Sequence, residues 1–208
     1  MERVNVYIDG YNLYHAIDRL NDNRLKWLDL TKLISHFLHP NRHTLNKIHY
    51  FSAYATWKKG AFKRHKIYTR ALDTTGVNTI IGGFKEKDRY CRSCKAKWKG
   101  HEEKETDVNI ALNLLNDAYQ DEYDEAIIVS QDSDLFPAIK LVKKHFPEKI
   151  IRIITPPNLH HSREMASLVG KKRLASIKEI HLQRSLLPRE ITTQAGKIIT
   201  RPAKYDSK

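Results

Sequence analysis

Ala126-Ile127-Ile128-Val129-Ser130-Gln131-Asp132-Ser133-Asp134 decides how the chain is read. Four apolar residues in a row, three of them β-branched, end abruptly in a polar, acidic run. A short continuous apolar stretch suits a strand covered on both faces, as the strands of a parallel sheet are. Helical patterns flank it, from about residue 107 to 118 before and from about 134 to 146 after. Pro137 falls in the first turn of the second helix, where its missing N–H costs nothing. Residues 150–154 repeat the strand pattern and are closed by Pro156-Pro157.

The N-terminal half has the same rhythm. Val4 to Ile8 alternates as a strand and meets Asp9-Gly10, and a helix follows through Asn12 to Leu20. Asp29 is placed to cap a helix over 30–38, stopped by Pro40. Residues 48–54 and 77–84 are further strands, separated by a basic helix over about 59–74. A short helix near 162–168 and a strand near 177–182 complete the pattern. Strands alternating with helices predict an α/β domain, with helices on both faces of a parallel sheet. In such sheets ligands bind beyond the carboxyl ends of the strands, where the winding direction switches. The expected domain spans residues 1–184. Residues 85–103 are expected to form an irregular basic insertion, and 185–208 a loose basic tail.

The totals narrow the partners. The chain has 208 residues, with 37 lysines and arginines against 24 acids, a net charge of +13. That excess favours a polyanion. No apolar run is long enough to span a bilayer and no signal peptide is evident, so a cytoplasmic protein without a membrane partner is expected. The two cysteines, Cys91 and Cys94, do not make a disulfide framework. The oligomeric state is open, a homodimer included.

Acids sit where the sheet should place a site. Asp9 follows the first strand, and Asp132 and Asp134 follow the strand at 126–129. Asp107 opens the preceding helix. Val108, Ala111, Leu112 and Leu115 read as its apolar stripe, and Asp107, four residues before Ala111, borders it. Each acid also has a local explanation: Asp9-Gly10 as a turn, Asp107 as a helix-start acid, Asp132 and Asp134 as caps. Three acidic loops at one sheet edge are harder to explain that way. Crowded carboxylates repel one another and call for a cation, and hard oxygen donors select Mg²⁺ or Mn²⁺.

Tyr7-Ile8-Asp9-Gly10-Tyr11-Asn12-Leu13, Lys104-Glu105-Thr106-Asp107-Val108 and Val129-Ser130-Gln131-Asp132-Ser133-Asp134 together resemble the NYN-domain (LabA-like) family of the PIN-like nuclease superfamily. The resemblance covers about residues 3–155. It implies a Rossmann-like, PIN-type three-layer sandwich with a central parallel sheet of order 3-2-1-4-5. It implies metal-dependent phosphodiester cleavage, with Asp9, Asp107, Asp132 and Asp134 as catalytic metal ligands and Asn12 and Ser130 positioning ligand or phosphate. RNA or another single-stranded nucleic acid would be the substrate. Glu105 is an additional ligand or proton acceptor, or a solvated helix-start acid. Two rival functions use the same pocket: a non-catalytic RNA-binding adaptor, and a phosphatase or nucleotidyl-transfer enzyme. The last is weakened by the lack of a Gly-rich phosphate cradle and of a second Asp two residues after Asp9.

The insertion carries Lys85, Lys87, Arg89, Arg92, Lys95, Lys97 and Lys99, interleaved with Tyr90 and Trp98. Cations neutralise phosphates and aromatic faces stack on unpaired bases. Lys63 and Arg64, with Lys58, Lys59 and Lys66, would extend the track along the basic helix. Cys91-Arg92-Ser93-Cys94 has the spacing of half a structural zinc site. His101 is a third candidate ligand, with His65, His43 or a second subunit as the fourth. Unliganded thiols are the competing reading.

Overall fold

Val4, Val6 and Ile8 point to one side of the first strand and Tyr7 to the other, and all four are fully buried. This strand, β1 (Glu2–Asp9), therefore lies in the middle of a covered sheet. The computed structural model describes residues 1–206. Along the chain follow α1 (Gly10–Asp18), α2 (Leu30–Ser35), β2 (His43–Ala53), α3 (Lys59–Asp73), β3 (Asn78–Tyr90) and β4 (Lys97–Lys104). Then come α4 (Thr106–Tyr119), β5 (Glu125–Val129), α5 (Phe136–His145), β6 (Ile150–Thr155), α6 (Arg163–Val169), β7 (Leu174–Ser176), α7 (Glu179–Gln183), β8 (Glu190–Thr192) and β9 (Ile198–Thr200).

One face of the sheet buries Val4, Val6, Ile8, Ile127 and Val129 with Leu13, Ile17, Leu33 and Leu72 from α1, α2 and α3. The other buries Tyr7, Ala126 and Ile128 with Ile110, Leu114, Ile139 and Met165 from α4, α5 and α6. Helices thus cover both faces of a mostly parallel sheet.

The strand order is β4-β3-β2-β1-β5-β6-β7, seven strands rather than the five expected in the order 3-2-1-4-5. The difference lies at the two edges. Residues 85–103 are not irregular: β3 runs on to Tyr90 and pairs with antiparallel β4, Gly83 opposite Lys104 and Tyr90 opposite Lys97. At the other edge β7 pairs with β6 in parallel. Much of the strand expected at 177–182 is instead the short helix α7. The C-terminal segment, as far as it is described (residues 185–206), is not loose either. β8 and β9 form a small hairpin, and Leu187, Ile199 and Tyr205 are buried in the core. Its basic composition hides three apolar anchors, and Trp27 Nε1 donates a 2.8 Å bond to the Pro188 carbonyl.

β1 lies between β2 and β5, both parallel to it, with Ile8 opposite Val129. Asp9 and Ser130 therefore leave neighbouring strand ends.

Candidate metal and nucleic-acid site

Asp9 is the last residue of β1 and 5% exposed. Its Oδ1 accepts the Asn12 N–H at 2.9 Å, which caps α1. Its Oδ2 accepts the Ser130 hydroxyl at 3.0 Å. Ser130 Oγ accepts the Asp132 N–H in turn, at 3.0 Å, and Asn12 Oδ1 accepts the Gln131 N–H at 3.3 Å. These bonds stitch the end of β5 to the start of α1. Asn12 and Ser130 thus position the loop and the Asp9 carboxylate. Gly10 permits the close approach, since a Cβ there would lie 2.5 Å from the Tyr50 ring and 2.7 Å from the Phe51 carbonyl.

A cleft of about 310 Å³ opens over this edge, lined by Asp9, Asn12, Glu103, Asp107 and Asp132 with Tyr11 and His15 from α1 and Arg19 just after it. Burial pushes the Asp9 carboxyl up to about 6, against its two accepted hydrogen bonds, and Asp107 and Asp132 push the same way. Burial also raises Asp107, helped by Asp132 and Asp134. Neither Asp9, Asp107, Asp132 nor Glu103 forms an ion pair with a lysine or arginine among the described residues. The cleft is a patch of mutually repelling carboxyls in a chain of net charge +13. The carboxyls of Asp9, Glu103, Asp107 and Asp132 offer hard oxygens, the donors that suit Mg²⁺ or Mn²⁺.

Asp134 stands apart. It is exposed and outside the cleft lining, and its N–H donates to Asp132 Oδ1 at 2.9 Å. The capping reading of Asp132 is thus right for one of its oxygens, and Asp134 reaches the site through its field on Asp107. The phase expected for α4 is half right. Ala111 and Leu115 pack on the core, but Val108 and Leu112 are 60% and 58% exposed, and Ile110, Leu114 and Ala118 make the buried row. Asp107 is half-buried at the cleft end of the helix.

Glu103 was missed by sequence reasoning, which weighed Glu105. Glu105 is exposed, in a left-handed conformation with φ of 79°. Glu103, next to last in β4, lines the cleft, accepts the Thr106 hydroxyl at 2.6 Å, and is pushed by burial up to about 7, with Asp9 and Asp107 adding to the rise. A signal was available: alternation along a strand sends residues 103 and 105 to one side, but the helix start at Thr106 breaks it.

The β3–β4 hairpin is less basic than its lysines suggest. Lys99 pairs with Glu86 at 2.8 Å and Asp88 at 3.0 Å, and Lys87 with Glu102 at 3.4 Å. Arg89 folds over Gly100 and lies opposite Trp98, which is 52% exposed. Arg92, Lys95 and Lys97 crowd the exposed tip, where Lys95 Nζ lies 5.8 Å from the Tyr90 ring. Cross-strand partners share a face, so Trp98 and Arg89 lie on the face opposite Glu103, Phe84 and His101. On α3, Lys63 is exposed, and Arg64 lines a second cavity.

The cysteines sit in the tip, where the Cys94 N–H donates to Cys91 Sγ and holds that thiol below its usual value. His101 is opposite Glu86, four strand residues from Lys97 at the tip, or about 13 Å. It stacks on Trp57 at 3.6 Å and does not reach the thiols. His65 lies on α3, and His43 begins β2 at the far end of the sheet. There one ligand atom each of His43, Glu2 and Glu125 lies within 4.8 Å of the other two, closer than the Asp9, Asp107 and Asp132 carboxylates, which an ion would have to draw together. However, His43 Nδ1 accepts the His39 N–H at 2.9 Å, which leaves the proton on Nε2, the atom facing the carboxylates. A protonated nitrogen is no ligand, and Arg42 and Arg152 already pair with Glu2 and Glu125. That cluster is an ionic clasp.

Comparison with known proteins bears on the cleft. The NYN domain family matches residues 3–165, which takes in Asp9, Glu103, Asp107, Asp132 and Asp134. A 6-hydroxy-3-succinoylpyridine 3-monooxygenase from Pseudomonas putida is 28% identical over 71% of this chain, which spans 58% of that protein's length. A protein of unknown function from Vibrio parahaemolyticus has a similar fold, with a TM-score of 0.56 at 15% identity, covering 89% of this chain and 96% of its own. Among the described residues no helix is long and apolar enough to cross a membrane.

Proposed function

We propose that this chain, which belongs to the NYN domain family, is a metal-dependent nuclease that hydrolyses phosphodiester bonds in RNA or single-stranded nucleic acid. Family membership places it among nuclease-like domains. One observation carries the finer reading: Asp9 is buried, bonded only to neutral donors, and faces Asp107 and Asp132 without a paired cation among the described residues.

Asp9, Asp107 and Asp132 would hold the ion, with Asp134 at the margin. Bound there, Mg²⁺ or Mn²⁺ would supply charge neutralisation for the phosphate and a more acidic water. The chain does the rest. Ser130 and Asn12 fix the Asp9 carboxylate and the loop that carries Asp132. Arg19, on the rim of the cleft, attracts the phosphate. Glu103, raised toward neutrality, accepts or returns a proton at the reacting end. Arg92, Lys95 and Lys97 on the hairpin tip draw the polyanion in from further out.

The test is incubation of the purified protein with labelled single-stranded RNA, with and without Mn²⁺. Cleavage that needs Mn²⁺, stops with chelator and is lost in Asp9→Asn and Asp132→Asn is expected. Intact RNA in every arm, with binding retained, would leave an RNA-binding adaptor of the same fold.

A further inference from the structure

Beside the acidic cleft lies a second cavity of about 290 Å³, between α1, the end of β2 and α3, and closed by Tyr205. Tyr11 and His15 line both spaces, so the two adjoin along one flank of α1. Its walls are rings. Tyr50 meets Tyr68 edge-on at 6.0 Å and His65 at 6.4 Å, and Tyr14 stands at the mouth, 42% exposed. A concave aromatic space with a few polar groups is the usual form of a ligand pocket.

One polar atom in it lacks a partner. His65 Nε2 is buried with no hydrogen-bond partner among the described residues. Such an atom costs stability unless something bonds to it, and an orphan of this kind calls for an explanation. Burial lowers the imidazole to about 4, so at neutral pH it offers one donor and one acceptor and no charge. Lys58 and Arg64 also line the cavity and form no ion pair with an acid among the described residues, whereas Asp18 is taken by Lys26. The pocket therefore presents stacking faces, one neutral polar atom deep inside, and positive charge near the mouth.

We propose that this pocket takes one nucleobase of the strand whose phosphodiester lies over the acidic cleft. A base is flat and heteroaromatic, carries hydrogen-bonding groups on its edge, and is joined to an anion; unstacked bases are held in this way between aromatic side chains. Tyr14, Tyr50 and Tyr68 enclose the ring, His65 Nε2 bonds its edge, and Lys58 and Arg64 face the attached phosphate. Single strands are favoured because a paired base cannot enter without leaving its stack. The inference rests on the nuclease reading for its substrate class, but the pocket can be tested apart from cleavage.

Calorimetric titration in chelator, with no turnover, compares UMP and AMP with ribose 5-phosphate, which lacks the base. The wild type should bind the nucleotides at least tenfold more tightly than the sugar phosphate. Ala61→Trp, which fills the cavity from α3, should lose that tenfold preference. His65→Phe, which keeps the ring and removes the orphan nitrogen, should fold at least as stably and bind several-fold more weakly. In both variants the rise in melting temperature caused by Mn²⁺ at the acidic cleft should persist. Equal binding of ribose 5-phosphate, no nucleotide binding by the wild type, or full nucleotide binding by a folded Ala61→Trp would overturn the proposal. Loss of Mn²⁺ stabilisation or of cleavage, with base-dependent binding intact, would instead count against the nuclease reading alone.

Discussion

Asparagine in place of Asp9 separates the cost of the buried carboxylate from its use. Asp9 ionises near 6 in the folded chain, against an ordinary value of 3.8. A carboxyl raised in the fold contributes stability that is present at low pH and lost as pH rises through the folded value. Here the loss runs from about pH 4 to just above 6, and amounts to ~3 kcal/mol once Asp9 is fully charged. Asp9→Asn is neutral throughout and escapes that loss. It keeps the acceptor for the Asn12 N–H, but its amide N–H faces Ser130 Oγ, whose own hydroxyl proton loses the acceptor that Asp9 Oδ2 supplies. That mismatch costs about 1 kcal/mol. In chelator at pH 8 the variant should therefore be more stable than wild type by about 1–2 kcal/mol, and at pH 4.5 equal or slightly less stable. Saturating Mn²⁺ should reverse the order at pH 8, because an ion at 100 times its Kd adds about 2.7 kcal/mol to the wild type alone. Urea denaturation at both pH values, with chelator or Mn²⁺, reads all four quantities. A variant destabilised by the same amount at pH 4.5 and pH 8 in chelator, or stabilised by Mn²⁺ as much as wild type, would refute the reasoning.

Two further outcomes follow from neighbouring residues. Glu103→Gln should remove a carboxyl titration near pH 7 from the NMR pH profile and slow cleavage tenfold or more, while the Mn²⁺-induced stabilisation stays; an unchanged rate at every pH would take Glu103 out of the chemistry. Gly10→Ala should cost about 1–3 kcal/mol in urea denaturation, since the new methyl meets the Tyr50 ring and the Phe51 carbonyl and a carbonyl in the sheet cannot step aside; an unaffected midpoint would show that the junction of β1 and α1 has slack.

The core of the fold was legible because burial on both faces leaves a plain trace. Residues 126–129 and 150–154 read as strands from their apolar runs alone, and both are strands. The edges were not, because edge strands need no such run. β4 is Lys-Trp-Lys-Gly-His-Glu-Glu-Lys, exposed or half-buried throughout, and is held by its ladder to β3 and by cross-strand ion pairs. Composition marked that stretch as loop. The C-terminal segment was misread in the same way, since a few anchors among basic residues are invisible to an average over the segment. The α4 stripe failed for another reason. Asp117 lies on its buried face, accepting from Tyr7 Oη at 2.7 Å and Asn5 Nδ2 at 3.1 Å. A charged residue turned to the core shifts the apparent apolar arc away from the true one.

The first of these errors explains why Glu103 was passed over. Asp9, Asp107 and Asp132 were expected at one edge because strand ends and a helix start lead there, and they do line one cleft, which topology predicts without knowledge of side chains. Glu103 arrives by a different route, along an antiparallel strand that composition had marked as irregular. So does His101, which shares its face with Phe84 of the strand read at 77–84, and both meet Trp57, with ring centroids at 3.6 and 4.7 Å. The hairpin therefore does more than present cations. Its base closes the acidic cleft with one carboxyl, its aromatic face leans on the loop that leads into α3, and α3 forms one wall of the second, aromatic cavity. A segment read as an appendage is thus packed against both candidate spaces, and its lysines are divided between ion pairs that hold the ladder and an exposed tip, the part that the proposed function assigns to phosphate.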